Sequence, residues 1–280
     1  MKKLALVFAL FLIPVLSIAQ SKRSCCQAAT QEFAMLGKKA DFRSEHDTPE
    51  PLAFTPALGS DISFAVPGGV NGRGYAVMAD EPTDNYLLVF HEWWGLNNYI
   101  RRECERLSLM FDGVNIIAVD LYDGKTTDNR ETAAKLMQGV DEKRAVNIVK
   151  GAIAHAGPSA RIQTIGWCFG GGWSLQASML AGGQTQGCVM YYGMPEKDES
   201  KLKSINYPVL GIFASKDGWI NQEVVGEFEK KMNELSKDIT MKWYDAEHAF
   251  ANPSNPQYDS EATADANKLA VEFLRTNFSK

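Results

Sequence analysis

A cysteine stands among four glycines in Gly166-Trp167-Cys168-Phe169-Gly170-Gly171-Gly172. The residues before it, Arg161-Ile162-Gln163-Thr164-Ile165, read as a buried strand. Those after it, Trp173 to Leu180, read as a helix. A G-x-C-x-G between a strand and a helix is a tight turn that holds its central side chain out at the head of a sheet. Side chains two residues before and two after the cysteine would clash in such a turn, and Gly166 and Gly170 have none. The helix start offers unpaired N–H groups and a partial positive charge, which favour a thiolate and an oxyanion. The chemistry suggested is nucleophilic attack by Cys168. A buried structural cysteine at a glycine-rich helix start would also account for this segment taken alone.

An acid and a base follow in the order that such a sheet requires. Tyr207 to Ala214 reads as a strand, and Asp217 lies in the turn that leaves it. Ile239 to Tyr244 reads as another strand, and His248 lies in the loop beyond. Catalytic groups in open α/β sheets collect at the carboxyl ends of strands. The four histidines are His46, His91, His155 and His248, and His248 alone follows a strand in the required place. Asp217 could be a mere turn former with Gly218, and His248 a loop residue stacked on Phe250. The three together in correct order point to a Cys–Asp–His triad.

From about residue 60 to the end the chain resembles the dienelactone hydrolase family of the α/β-hydrolase fold. The resemblance rests on His91-Glu92-Trp93-Trp94-Gly95, Asp120-Leu121-Tyr122, the cysteine turn, Tyr191-Tyr192-Gly193, Asp217 and Glu247-His248-Ala249-Phe250. It implies Glu92 as a fourth catalytic member that holds the resting thiol and helps to ionise it. It also implies an oxyanion hole made by the backbone N–H groups of Phe169 and Trp93. The family's bacterial members grip a substrate carboxylate with two arginines, where this chain has Gly124, followed by Lys125, and Asn252. The bidentate clamp is therefore missing. His91, Trp94, Tyr122, Lys125, Trp219, Phe250 and Asn252 are the expected pocket wall.

The elements needed to hold these groups are legible in the pattern. Asp61–Val66 and Tyr75–Met78 flank a glycine-rich segment in which Asn71-Gly72 reads as a hairpin turn. No helix follows those glycines, so a dinucleotide loop is rejected. Strands are expected at 86–90, 114–119, 162–166, 188–192, 209–213 and 239–244, with helices between and a last helix over 261–277. Such alternation implies an α/β fold with a mostly parallel sheet covered on both faces. Residues 20–55 lack sustained periodicity and read as an extension or linker before a domain over 56–280.

Lys2, Lys3, an apolar run from Leu4 to Ile18 and the small-x-small Ser17-Ile18-Ala19 read as a cleavable signal peptide over 1–19. A periplasmic or secreted bacterial protein is expected, with no span in the mature chain. Loss of Lys2 and Lys3 takes the net charge from −5 to −7. No basic cluster is present, so nucleic acid is an unsuited partner. Five cysteines leave at least one thiol unpaired. Cys104 and Cys188 read as small core residues, and Cys25-Cys26 as an incidental pair. His91-Glu92-Trp93-Trp94-Gly95 lacks the second histidine of a zinc-protease motif, and neither metal nor cofactor is implied. The pattern as a whole predicts a hydrolase of small esters or lactones. A non-hydrolytic aromatic-binding or redox-sensing protein is the rival reading, and a thioester or carbon–carbon hydrolase a third.

Overall fold

The computed structural model describes residues 29–280. The chain runs α1 (Ala29–Leu36), α2 (Ala40–Ser44), β1 (Ser60–Phe64), β2 (Gly72–Val77), β3 (Asn85–Phe90), α3 (Asn98–Ser108), β4 (Asn115–Val119), α4 (Arg130–Gln138), α5 (Glu142–Ala156), β5 (Arg161–Trp167) and α6 (Phe169–Ala181). It continues with β6 (Thr185–Tyr191), α7 (Glu199–Leu202), β7 (Val209–Ala214), α8 (Gln222–Glu234), β8 (Ile239–Tyr244) and α9 (Ser260–Phe278). The expected signal peptide over 1–19 and Cys25-Cys26 lie outside the described residues. No helix among the described residues is long and apolar enough to cross a membrane.

One eight-stranded sheet has the order β1-β2-β4-β3-β5-β6-β7-β8. Pairing is antiparallel from β1 to β2 and from β2 to β4, and parallel everywhere else. Strands β4 and β7 are buried along their whole length, because helices cover both faces and leave no polar side to alternate. The expected strands are all present, within a few residues at their ends.

The hairpin differs from expectation. Phe64 pairs with Gly72, so Gly72 opens β2 and Asn71 is the last residue of a longer turn rather than the first half of a two-residue one. The chain reverses over residues 65–71, where Gly68 and Gly69 have φ of 93° and 133°. Those are left-handed values that glycine adopts without penalty.

The segment before β1 carries helices that its sequence did not display. Of the two readings, extension or linker, the described part is the extension, and it holds two short helices packed on α4 and α6. Helix α1 buries Ala29, Thr30, Phe33 and Ala34, a stripe with helical spacing. Phe42 of α2 is fully buried and His46 is 3% exposed. Burying a phenylalanine contributes about 1.5–3 kcal/mol. The polar ties of this arm, Lys197–Glu32 at 2.6 Å and Arg130–Asp47 at 3.0 Å, are partly exposed and weigh little beside that. The rings hold the arm down.

Candidate active site

Cys168 stands between the last residue of β5 and the first of α6, with φ 57° and ψ −120°. A non-glycine residue there is strained, at about 1–3 kcal/mol. The turn is locked by Cys168 N–H donating to Tyr191 O at 3.0 Å, while its carbonyl accepts from Gly171 N–H at 3.0 Å. A Cβ on Gly166 would run into the backbone of Gly170, and one on Gly170 into the carbonyls of Phe90 and His91. The two glycines let α6 press against β5 and the end of β3. Tyr192 and Ala249 are two further non-glycine residues at positive φ, 34° and 61°, and both lie beside the cysteine's partners. Phe169 is the first residue of α6, so its N–H has no intrahelical acceptor. Phe90 pairs with Gly166, which brings the loop carrying Trp93 out beside the turn.

His248 Nδ1 donates to Asp217 Oδ2 at 2.5 Å. Asp217 Oδ1 accepts from Trp219 N–H at 2.8 Å and Ile220 N–H at 2.9 Å. Burial works against the Asp217 carboxylate, yet the His248 charge and these donors hold it below the usual carboxylate range. Burial likewise opposes a charged His248, but the Asp217 carboxylate holds the ring well above the ordinary histidine value. Burial pushes the Cys168 thiol up, with the facing His248 ring pulling against it. Glu92, buried near the thiol, is pushed up to about 7 by burial. Cys168, Asp217 and His248 are each 3% exposed or less.

The dienelactone hydrolase family model matches residues 73–278. The chain belongs to the dienelactone hydrolase family. Protein usf of Aquifex pyrophilus is 29% identical over 233 residues, covering 78% of this chain and 98% of that protein. Carboxymethylenebutenolidase 1 of Cupriavidus pinatubonensis is 27% identical over 219 residues, covering 72% and 92%. Among solved structures, the dienelactone hydrolase of Anabaena variabilis superposes with a TM-score of 0.58 at 20% identity, covering 79% of this chain and 99% of that one. The likeness fixes an α/β-hydrolase fold, and the protein is a hydrolase of this family. The arm and β1 precede the matched region.

The expected pocket residues divide. Tyr122 is buried beside His91 and Phe169 with its hydroxyl unpartnered, and burial, with Cys168 and Asp120 nearby, pushes that hydroxyl well above the ordinary tyrosine value. Trp93 and Trp94 stack edge-on at 4.8 Å. Trp219 donates its indole N–H to Glu45 of the arm at 2.8 Å. Two expectations, His91 and Phe250, are corrected. His91 does not face a pocket: Nδ1 donates to Glu92 O at 2.6 Å and Nε2 accepts from Leu121 N–H at 3.1 Å, so it pins two loops. Phe250 is fully buried core against Tyr192 and Tyr244. Lys125 is an exposed residue in the loop after β4. Asn252 donates its amide to Glu92 and accepts from Ser254 N–H at 2.8 Å, so both ends are committed within the protein. Glu92 is thereby tied to Asn252, a tie the sequence did not suggest.

A cavity of about 350 Å³ adjoins this cluster, bounded by Glu92, Trp167, Tyr192, Asn252, Ile100 and Arg102. A larger cleft of about 1000 Å³ runs along the β1–β2 side, but neither Cys168, Asp217, His248 nor Glu92 lines it. Sequence reading missed His46. Its ring lies 4.5 Å from Trp93 and 5.2 Å from His248, centroid to centroid. One ring nitrogen each of His46 and His248 and the Cys168 sulfur all lie within 4.8 Å of one another. His46 follows no strand and belongs to no motif, so only the folded arm could reveal it.

Proposed function

We propose that the protein is an exported hydrolase of small carboxylic esters or lactones that works through a thioester on Cys168. The observation that carries this is the His248–Asp217 pair at 2.5 Å, facing a strained cysteine at the head of α6. The related Cupriavidus protein bears the name carboxymethylenebutenolidase, which is a lactone-opening activity, and that supports the substrate class.

In this reading the resting nucleophile is a thiol, since burial disfavours the thiolate. Glu92, with a pKa of about 7, is suited to take up the thiol proton as substrate arrives. The thiolate attacks the carbonyl, and the N–H groups of Phe169 and Trp93 hold the oxyanion. His248 protonates the departing alkoxide, then draws a proton from water as it attacks the thioester. Asp217 keeps the ring oriented throughout. The cavity beside Glu92 is of a size that holds small ligands. Residues 1–19 support export, with Gln20 as the mature N-terminus.

The test is a panel of lactones and aryl esters with the purified wild-type protein and Cys168→Ala. Hydrolysis by the wild type alone, with a trapped acyl-cysteine at residue 168, is expected. Equal turnover by Cys168→Ala would remove the thiol mechanism. Cell fractionation with N-terminal sequencing tests export.

A further inference from the structure

We propose that His46, Cys168 and His248 form a binding site for a thiophilic divalent metal such as Zn²⁺, and that the metal locks the arm over the nucleophile and silences the enzyme. The three ligands come from three remote parts of the chain, and His46 lies outside the region matched by the family model.

The tautomers are set for it. His46 Nδ1 lies 2.7 Å from the carbonyl oxygen of Phe42, an atom that can only accept. Nδ1 therefore carries the hydrogen and Nε2 the lone pair. His248 Nδ1 is spent on Asp217, which leaves Nε2 as its free donor atom. Both Nε2 atoms are buried and without a hydrogen-bond partner among the described residues. His248 Nε2 faces the thiol it serves in hydrolysis, but the orphaned Nε2 of His46 has no such role, and an orphaned buried nitrogen beside a thiol and a second imidazole calls for a ligand. A histidine backed by a carboxylate and another backed by a main-chain carbonyl are the arrangements that orient metal-binding imidazoles.

Size and softness agree. Zn²⁺ bonds of about 2.0–2.3 Å to nitrogen and sulfur place tetrahedral ligand atoms about 3.3–3.7 Å apart. The present separations, up to 4.8 Å, need a closure of about 1 Å. One sulfur and two imidazoles select a borderline metal over Mg²⁺ or Ca²⁺, which take oxygen. The step releases two protons. The thiol S–H bond breaks and a metal–sulfur bond forms, His248, held protonated by Asp217, gives up its Nε2 proton, two nitrogen lone pairs are then donated, and both protons leave to solvent. Nothing is oxidised or reduced. Because one ligand is the nucleophile and one belongs to the arm, binding blocks attack and fixes the arm in place.

The test uses the purified wild type with His46→Gln and His46→Phe, the latter filling the ring's space without a lone pair. Aryl-ester hydrolysis is measured against buffered free Zn²⁺, and Co²⁺ is added separately to read thiolate-to-cobalt charge-transfer absorption. Zn²⁺ should inhibit the wild type at a concentration about tenfold or more below that needed for either variant. All three should be active without metal. The cobalt band should vanish in Cys168→Ala and weaken in both His46 variants. Equal inhibition of all three proteins would overturn the site, as would a band that survives Cys168→Ala, since it would come from another thiol such as Cys25 or Cys26. If no protein hydrolyses ester, the function proposed above fails, and the cobalt band still decides the metal site.

Discussion

Glu92 is the residue whose environment does most to define the chemistry. A carboxyl with a pKa near 7 is a poor ion pair but a good proton acceptor close to neutrality. Glu92→Gln keeps the shape and removes the acceptor. It should slow acylation much more than deacylation in rapid-mixing measurements and abolish the rise of acylation rate through about pH 7. Unchanged rates for both steps would reduce Glu92 to a hydrogen-bond partner of Asn252. The same burial carries a stability signature. The folded pKa lies above the unfolded value of 4.5, so the folded state binds more protons between them. Stability is therefore lost as pH rises from 4.5 to about 7, by up to about 3 kcal/mol. Glu92→Gln should raise the melting temperature at about pH 8 and do little at about pH 4. A gain confined to acid pH would contradict this sign. Cys168 was legible because its glycines report a steric need that few other turns share. Asn252 was legible only as an absent arginine, since its bond to Glu92 spans 160 residues of sequence.

The helices of the arm are what the sequence could not supply. Helices of eight and five residues have too few turns to display a period, and isolated helices that short are not stable in water. Their order comes from Phe33, Phe42 and His46 settling on Trp93, Trp219 and His248. Docking buries a neutral histidine. Burial and the nearby His248 charge press the His46 pKa down to about 3, with Arg130 adding slightly, while the Phe42 carbonyl and Asp217 pull the other way. The folded value lies below the unfolded one, so docking is fully present above about 6.5 and weakens as pH falls. Below that point the docking constant should drop about tenfold per pH unit. Iodoacetamide labelling, corrected for thiolate content by a small-thiol standard, should show Cys168 becoming more accessible in acid. His46→Phe should remove that dependence. Independently, Phe42→Ala deletes about 3–5 kcal/mol of burial and should speed labelling of Cys168 while Cys104 and Cys188 stay protected. If Phe42→Ala leaves Cys168 labelling as slow as before, reagents reach the thiol through the cavity beside Glu92 and the arm is no gate.

At the scale of the molecule, strand–helix alternation and apolar strands settle a doubly covered parallel sheet, and its carboxyl edge settles where the chemistry gathers. That much needed only local pattern. Substrate charge is a longer-range matter. The clamp positions cannot simply be refilled: Gly124 has φ 92° and a Cβ there would press on the Arg73 guanidinium, while Asn252 is occupied with Glu92. Near the cavity, Arg106 is paired with Glu103 at 2.7 Å, and Arg102 is an exposed cation stacked on Tyr99. An exposed charge attracts weakly and is screened by salt, and the chain's net charge of −5 repels anions at long range. A neutral ester or lactone should thus show kcat/KM equal to or above that of a carboxylate-bearing analogue of the same size. Raising ionic strength should leave the neutral substrate unaffected and narrow the gap by relieving repulsion. A preference of about tenfold for the anion, worth about 1.4 kcal/mol, would show a cation bound to the carboxylate. Loss of that preference in Arg102→Ala, with the neutral substrate unchanged, would then place the cation on α3, at a position unrelated to either arginine of the family's clamp.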